Sequence, residues 1–363
     1  MFSILHLGKF YPPHHGGIET HVRDLAVRQA RTGRVTVIAA NSERQSSRET
    51  IEGVDVIRVA RVGTIASMPV CPGLTKAIRA CPADLVHLHT PNPGAAFSFL
   101  RSGHRGKLIV THHADTLGRK LLRAVADIYV RRVMERASIV LTTSQRYLDS
   151  SEELAPFREK CRVIPLGIDP AGWEGAPGAA NSTGSGQPLI LAAGRLVAYK
   201  GFDVLIRAMK NVDAKLLLIG SGPQEKTLRE LAASEGVLHK VEMRGRVPDL
   251  KPWFRQASVF VLPSTTRAEA FGIVQLEAMA AGLPVINTDL QSGVPEVSVH
   301  GDTGITVPAG NSEALSEAIK MLLGREDLRR TFGANARARV QTEFTADRMA
   351  ERTMAVYLET MAR

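Results

Sequence analysis

The sequence predicts an α/β protein made of two doubly wound parallel-sheet domains facing each other across a cleft. Three observations carry that prediction. Short runs rich in Val, Ile and Leu alternate with helical segments in both halves of the chain, as in a parallel sheet covered on both faces. The 363 residues exceed what one core usually holds. A Gly-, Ser-, Ala- and Pro-rich stretch, residues 172–187, interrupts the alternation near the middle and reads as a linker. The expected domains are therefore 1–171 and 188–345, with residues 346–363 a separate final helix.

In the first half, Ser3–Leu7 is a short apolar strand, and Ile18–Thr32 is helical with Gly33 as its stop. Strands follow at Arg34–Ala40, Val54–Val59, Ala83–His89 and Lys107–Thr111. A long helix from about Leu117 to Arg136 precedes the strand Ile139–Thr143. The pattern restarts after the linker with strands at Pro188–Ala193, Ala214–Ile219, Lys240–Arg244, Ser258–Leu262, Pro284–Thr288 and Gly304–Val307. Helices are expected near Phe202–Met209 and at Glu225–Glu235, Ser312–Leu323 and Leu328–Phe344. The last, Ala346–Arg363, carries Met349, Met354, Val356, Leu358 and Met361 as its apolar residues.

Composition excludes several classes. Hydrophobic residues make up 44% of the chain, which argues against disorder, and no apolar run approaches the roughly 20 residues of a membrane span. The N-terminus lacks the basic opening of a signal peptide. Three scattered cysteines (Cys71, Cys81 and Cys161) form no metal signature and point to a reducing, cytoplasmic compartment. The net charge of +10 is uneven: residues 1–171 hold 24 Lys and Arg against 15 Asp and Glu (+9), the remainder 22 against 21 (+1). The first half is thus suited to an anionic partner, whether nucleic acid, a lipid surface or a phosphorylated acceptor, although solubility explains the charge equally well.

Four segments at expected strand ends could carry chemistry, since ligands of such sheets bind beyond the C-terminal ends of the strands. The loop Gly8–Gly17 precedes a helix, and Gly16 and Gly17 permit close backbone approach to an anion, though a plain turn is as good a reading. Thr111-His112-His113-Ala114-Asp115 follows a strand. His113 could contact a sugar and Asp115 could orient or bind an acceptor; ordinary loop residues or metal ligands are the alternatives. Gly194-Arg195 with Lys200-Gly201 sets two cations five residues apart on a loop, which suits a diphosphate. In the fourth segment Glu269 and Glu277 are separated by seven residues, AFGIVQL. Carboxylates in so apolar a setting are costly unless donors or a cation meet them, and a salt bridge is the structural alternative for either one.

These residues resemble the retaining glycosyltransferases of family 4: GGIE at Gly16–Glu19, PLGID at Pro165–Asp169, GRLVAYKG at Gly194–Gly201, and EAFGIVQLEAMAAGLPV at Glu269–Val285. The resemblance implies a GT-B fold, with two Rossmann-like domains, the donor nucleotide in the second and the acceptor mainly in the first. It implies that the final helix returns to the N-terminal domain. By position it makes Arg195 and Lys200 the cations for the donor diphosphate. Glu269 would contact the transferred sugar and Glu277 the ribose hydroxyls. Gly17 and the amides around Phe271, Gly272, Ile273 and Val274 would hold phosphate and sugar. His113 resembles the histidine near the transferred sugar, with His112 and Asp115 on the acceptor side. HTPNP (His89–Pro93) and the HHAD loop are closest to a bacterial subgroup that builds surface polysaccharide, often from mannose donors. That loop more often reads W-H-S-D, so His112 and Ala114 are departures.

The expected function is retaining transfer of a hexose, mannose before glucose, from a nucleoside diphosphate sugar to a glycan or lipid-linked acceptor. No cofactor is expected beyond that donor substrate. No Asp-x-Asp occurs, so metal independence is expected. The basic amphipathic segment Arg119–Arg136 could lie on an anionic membrane at the inner face of the plasma membrane, but a core-facing apolar stripe is the preferred reading. A nucleotide-sugar epimerase or hydrolase is the nearest rival. A nucleic-acid-binding module would explain the charge but not the glutamates, and aromatic stacking motifs are missing.

Overall fold

A computed structural model describes residues 2–14, 16–65, 68–115, 120–173 and 187–363. The chain forms two compact units: residues 1–166 with 346–363, and residues 167–345.

The strands of unit 1 are β1 (Ile4–Leu7), β2 (Val35–Ala40), β3 (Ser47–Ile51), β4 (Val54–Val59), a hairpin of β5 (Gly63–Ile65) and β6 (Met68–Val70), β7 (Leu85–Thr90), β8 (Lys107–His112), β9 (Ile139–Thr142) and β10 (Cys161–Val163). Eight of them form one sheet in the order β10-β9-β8-β7-β1-β2-β4-β3. All pairs are parallel except β3 with β4. The exposed, charged Ser47–Ile51 was not foreseen as a strand. It lacks the buried apolar run of its neighbours because it is the antiparallel edge, where one face meets water. The helices Leu74–Arg79 and Pro93–Ser102 were also not foreseen. The second begins with signals the sequence carries: the Asn92 side chain accepts from the Ala95 amide at 3.2 Å, and Pro93 opens the first turn.

The helix Ala346–Ala362 belongs to unit 1 and packs on the helix Gly17–Ala30. Met349, Ala350 and Tyr357 enter the core of that unit together with Ile4, Val37, Leu85 and Ile109. Leu358, expected among its apolar contacts, is 58% exposed. The spacing Met349, Ala350, Thr353, Tyr357 selects the buried face instead.

Unit 2 contains β11 (Leu189–Ala193), β12 (Lys215–Ile219), β13 (Val241–Arg244), β14 (Val259–Val261), β15 (Val285–Thr288) and β16 (Gly304–Val307), in the sheet order β13-β12-β11-β14-β15-β16 and parallel throughout. Its core lies between the sheet and helices such as Phe202–Ala208 and Ser312–Gly324. The chain enters this unit five residues earlier than the 171/172 boundary set from composition. The Ile168 amide donates to the Phe344 carbonyl at 2.9 Å, bridging the entering segment to the leaving one. Of the expected linker, residues 174–186 lie outside the described residues.

The basic helix is present as Lys120–Arg136. Val130, Val133 and Met134 are buried, Ile128 is half exposed, and Arg131, Arg132 and Arg136 face water. Leu121, Leu122 and Val125 have side chains outside the described set. No helix among the described residues is long and apolar enough to cross a membrane.

Candidate functional site

In unit 2 the site residues lie on two loops that leave adjacent strands. After β11 the chain passes Gly194 and Arg195, makes a 3-10 turn at Ala198–Lys200 and enters the helix Phe202–Ala208. After β14 it passes Ser264 and Glu269 and enters the helix Ile273–Ala280. The Thr265 amide donates to the Tyr199 carbonyl at 2.8 Å, tying the loops together. Gly201, at φ +66°, makes this approach possible, since a Cβ there would lie 2.0 Å from the Pro263 carbonyl oxygen.

That closeness joins two residues for which the family resemblance implies separate tasks. Lys200 Nζ lies 2.5 Å from Glu269 Oε2, with the side chains 11% and 10% exposed. Ser264 Oγ donates to the same oxygen at 2.9 Å. Burial pulls the Lys200 pKa down, but the charge of Glu269 outweighs it, and the ammonium is held above its ordinary value. Arg195 is exposed. Its charge reaches both Lys200 and the Tyr199 hydroxyl, whose pKa is pushed up by burial and by Glu269.

The predicted anion cradle is formed at the next turn. Gly272 caps the helix at φ +70°, where a Cβ would stand 2.6 Å from Leu262 Cδ2. The amides of Phe271, Gly272, Ile273 and Val274 donate to no group among the described residues. They therefore remain open to an anion at the positive end of the helix. Buried amide side chains hold the turn in place: Gln275 Nε2 donates to the Phe271 carbonyl at 2.8 Å, and Asn287 Nδ2 donates to the Val294 carbonyl at 3.0 Å. Glu277, one turn further on, makes no hydrogen bond or ion pair among the described residues. Removal from water, with the charge of Asp249 added and Lys251 opposing, pushes its carboxyl up to about 7. Of the two glutamates, one is thus ion-paired and the other is open to a ligand.

In unit 1, Gly16 caps the helix Gly17–Ala30 in an extended conformation. The Glu19 carboxylate folds over this turn, so that a Cβ on Gly16 would lie 2.1 Å from Glu19 Oε2. The helix start offered to phosphate therefore already carries a carboxylate.

After β8, Asp115 Oδ1 accepts from Ser151 Oγ at 2.6 Å and Tyr147 OH at 2.8 Å, with His112 Nε2 at 3.2 Å. Burial opposes the charged form of this carboxyl, but the bonds from His112, Ser151 and Tyr147 outweigh it and hold the pKa well below the usual range. Asp115 is thus knitted into the loop with His112. His113 points into a cluster that the sequence reading missed. His6, His21, His87, His89 and His113 are all buried, and burial keeps each of them neutral, lowering His6 to about 4 and His21 to about 3. The signal was available, because His87 and His89 are two apart on one strand and share a face, and His6 is the register partner of His87.

Three groups among the described residues could hold a metal ion: His6, His87 and His89; His21, His89 and His113; His112, Asp115 and Glu153. In the first group every ring nitrogen is taken by a hydrogen bond; in the second, both nitrogens of His89 and Nε2 of His113 are taken. A groove of about 330 Å³ on unit 1, lined by Phe10, His14, Asn41 and Arg58 among others, contains no predicted site residue.

Comparison with known proteins settles the family. The model described as "Glycosyltransferase Family 4" matches residues 15–171, and that described as "Glycosyl transferases group 1" matches 179–339. A mannosyltransferase of Corynebacterium glutamicum, described as GDP-mannose-dependent and acting on monoacylated phosphatidylinositol monomannoside, is 30% identical over 94% of both chains. The chain belongs to glycosyltransferase family 4. The D-rhamnosyltransferase WbpZ of Pseudomonas aeruginosa is 31% identical over 74% of this glycosyltransferase and 71% of its own length. Sucrose-phosphate synthase from Thermosynechococcus elongatus shares the GT-B fold, with a TM-score of 0.82 over 99% of each chain at 22% identity. Membership makes a nucleotide-sugar donor and a glycan acceptor the substrates of this enzyme.

Proposed function

We propose that this glycosyltransferase transfers a hexose, mannose in the first place, with retention, from a nucleoside diphosphate sugar to a glycan or lipid-linked acceptor. The observation that carries the reading is the loop-to-helix turn of unit 2. There four amides and a carboxyl without partners among the described residues follow one another along the chain, and the loop from the adjacent strand brings the buried Lys200 ammonium to Glu269 on the same segment. Lys200, Arg195 and the amides of Phe271–Val274 take the diphosphate, and Glu277 takes the ribose hydroxyls. Glu269 turns from Lys200 to the transferred sugar as phosphate claims the ammonium. Unit 1 supplies the acceptor side through His112, His113 and Asp115. No enzymic nucleophile is needed when the leaving phosphate accepts the acceptor's proton and fixed cations stabilise the charge that develops. With Lys200, Arg195 and helix amides at hand, the diphosphate needs no metal. The mannosyl and rhamnosyl relatives favour mannose, and the basic surface of the first half suits a lipid-linked acceptor at the cytoplasmic membrane face.

The test is a donor screen read by released nucleotide, with GDP-mannose, UDP-glucose and related donors, run with and without EDTA. Nucleotide release that depends on a glycan or lipid acceptor and persists in EDTA is expected. Release without any acceptor would make the enzyme a hydrolase, and activity lost to EDTA and restored by Mn²⁺ would end the metal-free reading. Anomeric analysis of the product decides retention.

A further inference from the structure

We propose that Gln29, His6 and His89 act as positioning residues that fix which nitrogen of His113 carries its proton, leaving Nδ1 as an open acceptor for a sugar hydroxyl. The inference deepens the proposed function, from which it takes a sugar beside His113.

The hydrogen bonds form one buried line. His6 Nε2 lies 2.7 Å from Gln29 Oε1, His6 Nδ1 lies 3.1 Å from His89 Nε2, and His89 Nδ1 lies 3.2 Å from His113 Nε2. A neutral imidazole has one donor and one acceptor nitrogen, so fixing one end of the line fixes every ring in it. Gln29 Oε1 can only accept, so His6 carries its proton on Nε2 and accepts at Nδ1. His89 then donates from Nε2 and accepts at Nδ1, and His113 must donate from Nε2. Its Nδ1 is left as a lone pair that meets no partner among the described residues.

The surroundings keep the line in this state. Burial holds His6, His89 and His113 neutral, so none can donate from both nitrogens. As placed, the Gln29 carbonyl faces His6, and its amide nitrogen lies beside the Tyr357 hydroxyl without a hydrogen-bond partner among the described residues. Turning the amide over would reverse every proton in the line, with the Tyr357 hydroxyl then donating to the Gln29 carbonyl and accepting from His87 Nδ1, so the histidine spectrum reads the orientation of Gln29 directly. The Tyr357 hydroxyl in turn bonds His87 Nδ1, and His87 Nε2 lies 2.6 Å from Thr111 Oγ1. His21 stands edge-on to His113 with ring centroids 5.0 Å apart. Neither of its nitrogens has a partner among the described residues, so it packs against the line without entering it. A lone pair at His113 Nδ1 accepts from a sugar hydroxyl, whereas a proton there would confront the hydroxyl's own hydrogen.

The experiment is long-range ¹H–¹⁵N correlation of the histidine rings in the full chain, with His113 assigned from the spectrum of His113→Gln. In the ligand-free wild type, His113 is expected to show a protonated Nε2 and a bare Nδ1 near neutral pH. Gln29→Leu should give a mixture of the two forms and lower kcat roughly tenfold, with the donor KM held within about twofold. Gln29→Glu, which restores an obligate acceptor, should return both the spectrum and kcat. A wild-type His113 protonated on Nδ1, or a Gln29→Leu spectrum identical to wild type, overturns the proposal. Should Gln29→Leu fail to fold, the wild-type spectrum alone decides. That spectrum is read before any substrate is added, so failure of the tautomer is distinguishable from failure of glycosyl transfer in the donor screen.

Discussion

Replacing Lys200 by methionine removes the charge and keeps most of the volume. Glu269 is then left with Ser264 Oγ, 2.9 Å away, as its single hydrogen-bond donor among the described residues, in a place only 10% exposed. Breaking a buried ion pair from one side typically costs about 3–5 kcal/mol, because the remaining charge stays desolvated. Slight exposure puts this pair at the lower end, about 3 kcal/mol. In a unit of this size each kcal/mol moves the melting temperature by roughly 2–4 °C, so Lys200→Met should lower that of unit 2 by roughly 6–12 °C. Adding Glu269→Gln removes the stranded charge and should recover about 2 kcal/mol of the loss. Calorimetry of the two single variants and the double variant measures this coupling. If Lys200 also holds the donor diphosphate, turnover per folded molecule in Lys200→Met and in Arg195→Ala should fall more than tenfold. A Lys200→Met protein that melts within about 2 °C of wild type would refute the energetic reasoning. One that melts early yet turns over normally would reduce the pair to a structural bridge.

Three further outcomes are expected. The Glu277 carboxyl, raised to about 7, keeps its proton in the folded state between the unfolded value near 4.5 and pH 7. Stability is therefore lost as pH rises through that window, and Glu277→Gln should stabilise ligand-free unit 2 by about 2 kcal/mol at pH 8. The same variant should abolish any drop in donor affinity as pH falls below 7; an unchanged titration by calorimetry would remove Glu277 from the site. His6 and His21, lowered to about 4 and 3, contribute stability that is fully present above pH 6.5 and lost as pH falls through that value. His6 alone loses about 3 kcal/mol by pH 4, so thermal unfolding of unit 1 should move down steeply between pH 6.5 and 4, and a flat profile would contradict its buried neutral state. Gly272→Val places a Cβ where Leu262 Cδ2 stands, at a φ that branched residues avoid. It should weaken nucleoside diphosphate binding more than tenfold in an equilibrium dialysis assay, and unchanged binding would mean that the turn is not the cradle.

Much of this molecule was legible in its sequence where one physical signal dominated. Val54–Val59 and Gly304–Val307 are strands with the limits read from their apolar runs, because a doubly covered parallel sheet demands such runs. The loops carrying Lys200, Glu269 and Gly272 were legible because glycines and charges there break the apolar pattern. What escaped was either exposed or relational. Ser47–Ile51 pairs as an edge strand without an apolar signature, and the capping at Asn92 was overlooked inside a segment read as a motif. The Lys200–Glu269 pair spans 69 positions and depends on the two loops meeting, which spacing does not encode. The histidine line draws on β1, the helix Gly17–Ala30, β7 and the end of β8, so its members become neighbours only once the strand order is known.

The placing of the helix Ala346–Ala362 has a consequence for how the protein is made. Tyr357 lies fully buried in unit 1 beside His87, some 270 positions away in sequence. While a ribosome is still working through the second unit, the first therefore has a hole where that tyrosine belongs, with wet imidazoles behind it. Closure waits until about residue 360 has left the exit tunnel, so the half begun earliest is sealed last, and a nascent chain stalled before the final helix is a natural substrate for chaperones.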